Sequence, residues 1–363
     1  DKTQIKYSNH FGWQYRDTES GVSNYTQWVD ADKNDLEVYI VYDKVKNSGG
    51  IGEYIETVSE ADTGIQFRLF DYKDAGVKNN INTFALHKTG NQFLFFDSTA
   101  SGLDKTRDEH YKTNKEGKGI LAQDIVDDVL VNGYPWVLHD QTNSRLEDGS
   151  LNYLFGGESC EAVTEYEADY LLYQTRDGYF EYDSAKHAAN YDQETERFYV
   201  RSYTEKTNGA SDTTAFLPFN TTVGQSGHVV EEGDTNYWFG MTMTSKFIQP
   251  ANGKINEAPM VFEFSGDDDV WVFIDDVLVL DLGGIHGPVS GSIDFSTGNV
   301  TAKDIDGNVK QTATIKELFG EAGVDANFEG NTFADYSNHT IKFFYLERGA
   351  GGSNCKIRFN LAT

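Results

Sequence analysis

Residues 265–287 read SGDDDVWVFIDDVLVLDLGGIHG, and this stretch decides how the chain folds. Val270–Leu280 alternates and then turns almost wholly apolar, the pattern of a central strand covered on both faces. The turn-prone pair Asp275-Asp276 interrupts it and predicts a hairpin. From Asp281 the chain leaves the sheet in a glycine loop, Gly283-Gly284-Ile285-His286-Gly287. Three consecutive carboxylates, Asp267, Asp268 and Asp269, stand at the strand entrance, where like charges repel. Either a positive group neutralises them or they form a solvated turn.

Working outward, the same strand-and-turn texture fills the chain. Its 363 residues include 24 Phe, 21 Tyr and 35 Gly but five Pro, as expected of an all-β protein rich in turns. Strands are predicted at 36–42, 64–70, 92–96, 237–244, 261–264, 340–346 and 356–361. A hairpin with an Asp-Gly step is predicted at 176–183, with 196–200 as its possible partner. Helices are expected at Gly119–Val131 and at Thr314–Gly320, the second ending on a glycine. Residues 101–118 and 205–215 read as loops. The organisation expected is a β-rich region over 1–120, a β-rich insertion with a short helix over 121–230, and a core over 231–363.

Fifty-eight acidic against thirty basic residues give a net charge of −28. Such a surface repels phosphate backbones and anionic lipid, so nucleic acid and membrane surfaces are poor partners. No apolar run is long enough to span a bilayer, and with its start at Asp1 the chain reads as a mature or recombinant fragment without targeting peptide or anchor. The two cysteines, Cys160 and Cys355, fit no zinc spacing; they are either free buried thiols or one long-range bridge.

Residues Phe264 to Phe295, FSGDDDVWVFIDDVLVLDLGGIHGPVSGSIDF, closely resemble the fibro-slime motif of protective-antigen-type β-sandwich domains. Tyr237–Met241, Phe343–Asn354, Leu130–Pro135 and Gly178–Ser184 also look like fibro-slime segments of Gram-positive bacterial surface proteins. The resemblance covers about residues 230–361, is looser over 120–230 and does not reach residues before 120. It implies a β-sandwich of the protective-antigen-type lectin kind, with long inserted loops and one or two short helices.

In relatives of that sandwich two consecutive aspartates joined by a cis peptide bind calcium, which in turn ligates sugar hydroxyls. Counting back from Ile274-Asp275 places the pair at Asp267-Asp268; the extra acid at Asp269 leaves Asp268-Asp269 as the other frame. Calcium takes six to eight oxygens, and the resemblance assigns the remainder to the loop Glu347–Asn354. Asn354 or Glu347 would give a side chain, and carbonyls from Gly351 to Ser353, Gly352 among them, the rest. Arg348, Ser353, Asn354 and His286 would then touch the ligand beside Asp267 and Asp268. His286 and Asp281 read equally as structural groups holding the glycine loop, and Trp271 reads as core.

No catalytic residue is assigned. The EF-hand-like start at Asp30 fails at its sixth and twelfth positions, Asp35 and Val41, and Asp304–Asn308 reads as a plain turn. Paired carboxylates suited to a glycosidase arise by chance among so many acids. The function expected is a non-enzymatic extracellular adhesin module, attached to a cell surface and monomeric within a larger protein, binding cell-surface, dietary or host glycans through calcium. The competing expectations are a structural or protein-binding tip module in which calcium only stiffens loops, and a glycan-active enzyme.

Overall fold

The computed structural model describes residues 2–7, 12–17, 25–29, 35–38, 51–72, 121, 123–138, 149–160, 163–203, 215–219, 236–284, 286–347 and 352–363. The strand predicted at 92–96 and the loop at 101–118 lie outside them. The fold is all-β, as the composition implies. Strands Lys2–Tyr7, Gly12–Asp17, Tyr25–Val29 and Asp35–Val38 form an antiparallel meander.

The main body is built from thirteen strands and one helix. They are β1 (Ile65–Tyr72), β2 (Val163–Ala168), β3 (Tyr173–Gln174), β4 (Phe180–Asp183), β5 (Phe239–Ile248), β6 (Val261–Gly266) and β7 (Asp269–Ile274). Then follow β8 (Val277–Leu282), β9 (Val289–Asp294), β10 (Asn299–Lys303), β11 (Val309–Thr314), α1 (Ile315–Glu321), β12 (Asn338–Glu347) and β13 (Cys355–Phe359). Six strands pair in the order β8-β7-β12-β5-β1-β2, and seven in the order β3-β4-β13-β6-β9-β10-β11. Phe262 and Phe264 of the larger sheet meet Phe343 of the smaller, with ring centres 6.1 and 5.6 Å apart, so the sheets face one another across a shared core.

The apolar run of β7 follows from this arrangement. Val270, Val272 and Ile274 enter the core between the sheets. Trp271 and Phe273 point the other way, into a second cluster with Phe344, Leu346, Phe70, Val126, Tyr153 and Phe155. Residues of the segments 125–137 and 151–160 therefore cover the outer face of the six-stranded sheet, and both faces of β7 are dry. Trp271 is core, as its alternating position predicts.

The predicted hairpin forms, with Ile274 paired to Val277. Asp275 and Asp276 both have positive φ, 48° and 67°, the signature of the two-residue turn that matches strand twist. Their carboxylates are tied to β12: Asp275 accepts from Thr340 N at 2.9 Å and lies 2.6 Å from His339 Nδ1, and Asp276 accepts from Lys342 Nζ at 2.7 Å.

Three local expectations need correcting. The described part of 119–131 is turns and isolated bridges, not a helix. Its backbone is spent on the edge of the smaller sheet instead: Leu278 N donates to Asp128 O at 2.8 Å and Leu130 N to Asp276 O at 2.9 Å. An unpaired strand edge is a stronger claimant than an amphipathic pattern of this length. Residues 197–202 pair with 187–192, whereas β4 pairs with β13. In the second predicted helix, Thr314 and Glu317 form a capping box, but Gly320 is helical and it is Gly323 that takes positive φ, 69°. The Asp304–Asn308 segment is a turn as read, and Cys160 and Cys355, both buried, are not joined by a disulfide.

Glu60 is fully buried and ties its own turn to the 169–172 segment, accepting from Leu172 N at 2.5 Å and from Tyr170 N. Burial, then its hydrogen bond to Asp169, pushes its carboxyl up to about 9. Burial would raise Asp169 too, but hydrogen bonds from Glu60, Ser59 and Tyr170 outweigh it and hold that group low. Folded Glu60 thus keeps a proton that the unfolded chain loses near pH 4.5. This contribution is whole below pH 4.5 and is lost as pH rises toward 9, at up to about 1.4 kcal/mol per unit. Urea midpoints at acid, neutral and alkaline pH should fall along that range, and Glu60→Gln should flatten the fall; an unchanged slope in the variant would show that Glu60 is not responsible.

Candidate functional site

Three chain crossings between the sheets meet at one end of the sandwich. Between β6 and β7 the chain passes through Asp267 and Asp268; between β12 and β13 its described part is 352–354; between β8 and β9 it is 283–284 and 286–288. Gly266 pairs with Cys355 and Val289, and Asp269 with Leu346, which fixes the crossings side by side. The last two strands are therefore not a hairpin: they belong to opposite sheets, and the glycine-rich segment between them is a crossover.

The peptide bond between Asp267 and Asp268 is cis. Asp267 N donates to Asn354 O at 3.2 Å, and its carboxylate accepts from Asn354 N and, at 3.1 Å, from Asn354 Nδ2. Asp268 accepts from His286 N at 3.2 Å and Asp269 from Gly284 N at 2.7 Å. Both ring nitrogens of His286 face main-chain carbonyls, Gly287 O at 3.0 Å and Leu282 O at 3.1 Å, so the ring holds the glycine loop. Asp281 does the same, accepting from Gly283 N and Asp124 N, and burial pushes its carboxyl up to about 7.

Glu347 is the most constrained group at this end. It is fully buried, and burial first, then the charges of Asp268 and Asp267, hold its carboxyl well above the usual carboxylate range. Its Oε2 lies 3.1 Å from the Tyr345 hydroxyl, while Oε1 has no hydrogen-bond partner among the described residues. The Tyr345 hydroxyl has a single hydrogen, yet it also lies 2.9 Å from Asp267 O. One donor thus serves two acceptors. Asp267, likewise buried, is raised by that burial against the opposing hydrogen bonds from Asn354.

Of the residues singled out from sequence, Asp267, Glu347, Asn354, Ser353 and Gly352 converge on one spot, with Asp268 and His286 joined at its rim. A Cβ on Gly352 would lie 3.1 Å from Asp267 Oδ2, so the crossover runs tight against the carboxylate. Ser353 is turned inward, its hydroxyl donating to Phe216 O at 2.5 Å. Arg348 and Gly351 lie outside the described residues. Tyr345 was missed; its one signal was a hydroxyl placed on an otherwise apolar strand, where burial demands a partner. Among the described residues no group of three or more His, Cys, Asp or Glu side chains is arranged to hold a metal ion. A cation here would have to draw on backbone and amide oxygens as well.

No protein-family model matches the chain, and no solved structure matches it. Curated relatives do. Protein psiB of Dictyostelium discoideum is 47% identical over 126 residues, protein psiE of the same organism 46% over 126, and protein psiF 35% over 123. These alignments span 34–35% of this chain and 14–17% of the relatives' own length. The expected kinship with the fibro-slime and protective-antigen-type domains of a Gram-positive surface adhesin is thereby overturned, since the relatives are proteins of a eukaryote. The calcium-dependent, glycan-binding adhesin and its tip-module variant fall with it, for the relatives carry no sign of either and the described residues present no ready metal cage.

Gly266 is the residue that lets the crossings touch: a Cβ there would lie 2.1 Å from Asn354 O and 2.7 Å from the Phe264 ring. Gly266→Ala should therefore destabilise the protein by about 1–3 kcal/mol, read as a lowered urea midpoint at unchanged slope. A midpoint equal to wild type would mean that the crossings are not held this closely.

Proposed function

We propose that the chain is a non-catalytic, extracellular module of a longer psi-related protein, and that it takes up a hard divalent cation, calcium, among the crossings at the end of its sandwich. The observation that carries this reading is Glu347: a carboxyl with no exposed surface, one oxygen unpartnered among the described residues, and the charges of Asp267 and Asp268 against it. Burying an ionised carboxylate costs several kcal/mol unless it is paired. No ion pair to Asp267 or Glu347 forms among the described residues. The group must either keep a proton or meet a cation.

The donors nearest to Glu347 suit calcium better than a softer metal, because they are all oxygen: the Asp267 and Glu347 carboxylates, the Asn354 amide and the carbonyls of Gly352 and Ser353, with Asp268 adding charge from the rim. When bound, the ion would supply the positive charge that the buried acids lack. Asp267 would hold it next to the tight approach of Gly352, and Asn354 would continue to fasten the two crossings.

The proton and the cation make opposite demands on Glu347, and that separates them. Calcium should raise the melting temperature of the wild-type protein and give a calorimetric binding isotherm, while Asp268→Asn and Glu347→Gln should each abolish both effects. If calcium leaves the wild-type melting curve unmoved while Glu347→Gln melts higher than wild type, Glu347 holds a proton and the cation reading is wrong.

A further inference from the structure

The outer face of the larger sheet carries a second feature, unrelated to the buried acids. Register places two cross-strand rows there. In one, Lys356 faces Ser265, which faces Ser290, which faces Lys303; in the other, Arg358 faces Glu263, which faces Ser292, which faces Thr301. The intervening residues, among them Phe264, Ile293 and Ala302, are buried in the core, so alternation alone presents these rows outward. The floor of the rows is small, with Ser265, Ser290 and Ser292 around Gly291, and longer side chains rise on either side. The result is a groove of about 250 Å³ lined by Ser265, Ser290, Ser292, Thr301, Lys303 and Lys356.

We infer that this groove is a binding site for a small anion bearing carboxylate or phosphate oxygens, seated on the serine and threonine hydroxyls between Lys303 and Lys356. The charge balance of the groove favours this. Glu263, its one acid, is taken by Arg358 at 2.5 Å, and Arg358 is further held by Glu181 at 3.6 Å and by the Tyr179 ring. Lys303 is exposed and makes no ion pair among the described residues, and Lys356 lies 3.6 Å from Asp183 and feels the charge of Glu181 from farther off. Two lysines in a chain of net charge −28 thus face hydroxyls with little else to neutralise them.

The same charge excludes polyanions. A nucleic acid or an acidic polymer would extend beyond the groove into the surrounding negative field, whereas a small anion stays within a Debye length, about 8 Å, of the lysines. Size points the same way, since the groove falls below the roughly 300–1,000 Å³ of pockets for drug-sized ligands. The lysine-bearing strands are three ladder steps apart, about 14 Å, and side chains reaching inward from both edges leave room for a molecule with anionic groups at two ends. Four hydroxyls between them accept and donate, so a hydroxylated dicarboxylate uses every group in the floor.

Malate and inorganic phosphate are the probes, titrated by calorimetry into the full chain in calcium-free buffer, so that the outcome is independent of the acids at the end of the sandwich. Malate should bind, salt should weaken it, and phosphate should compete. Lys303→Gln and Lys356→Gln should each weaken malate about tenfold, the loss of one charge-assisted hydrogen bond, with melting temperatures unchanged. Lys310→Gln, which alters a lysine beyond the groove, should leave binding as it is. Absence of heat with both anions, equal binding of neutral erythritol, or an equal loss in Lys310→Gln would each overturn the site.

Discussion

The structure depends on one contact, the approach of the Asp267 and Asn354 main chains where two crossings between the sheets run side by side. Asp267 gives its N–H to Asn354 O and takes Asn354 N–H and Nδ2 on its carboxylate. Gly266, with no side chain, permits this closeness, and Gly352 repeats the device on the opposite crossing. Because the crossings are joined, β6 and β13 stay paired in one sheet while β7 and β12 stay paired in the other. The sandwich is closed at this end by polar groups instead of by apolar packing.

That closure explains the buried acids. A crossing has no sheet partner for its own backbone groups, and buried N–H groups must find acceptors. Asp267, Asp268, Asp269 and Asp281 supply them, each accepting main-chain N–H groups from a neighbouring segment. Glu347 differs in kind. It accepts no main-chain N–H among the described residues, and its tyrosine partner is already shared with Asp267 O, so it carries an electrostatic demand that the other acids do not.

Much of the framework was legible along the chain. The strands β6 and β13 were readable because each alternates with one wet face, and the wholly apolar β7 and β8 were readable as doubly covered. The Asp275-Asp276 turn and the Thr314–Glu317 cap were local chemistry. The failures were those of competition. Residues 119–131 have helical spacing, but the open edge of β8 claims their backbone. Residues 196–200 look like the partner of 176–183, yet β13, far along the chain, takes that place. Likeness of motif also misled about origin: the run around Asp267 resembled bacterial surface proteins, whereas the relatives that align are psi proteins of Dictyostelium discoideum.

What the sequence determined by itself was the alternation of its clearest strands, the Asp275-Asp276 turn, and the presence of neighbouring acids before a dry strand, because these depend on residues close in the chain. What only the tertiary structure decided was where the acids face. Asp267 meets Asn354 and Tyr345, Asp268 meets His286, and Glu347 meets both aspartates, across separations of 18 to 87 residues. The two-lysine groove likewise exists only through the register of four strands. Side chains far apart in the chain acquire a common environment when sheets pair and cross, and no local pattern encodes that pairing.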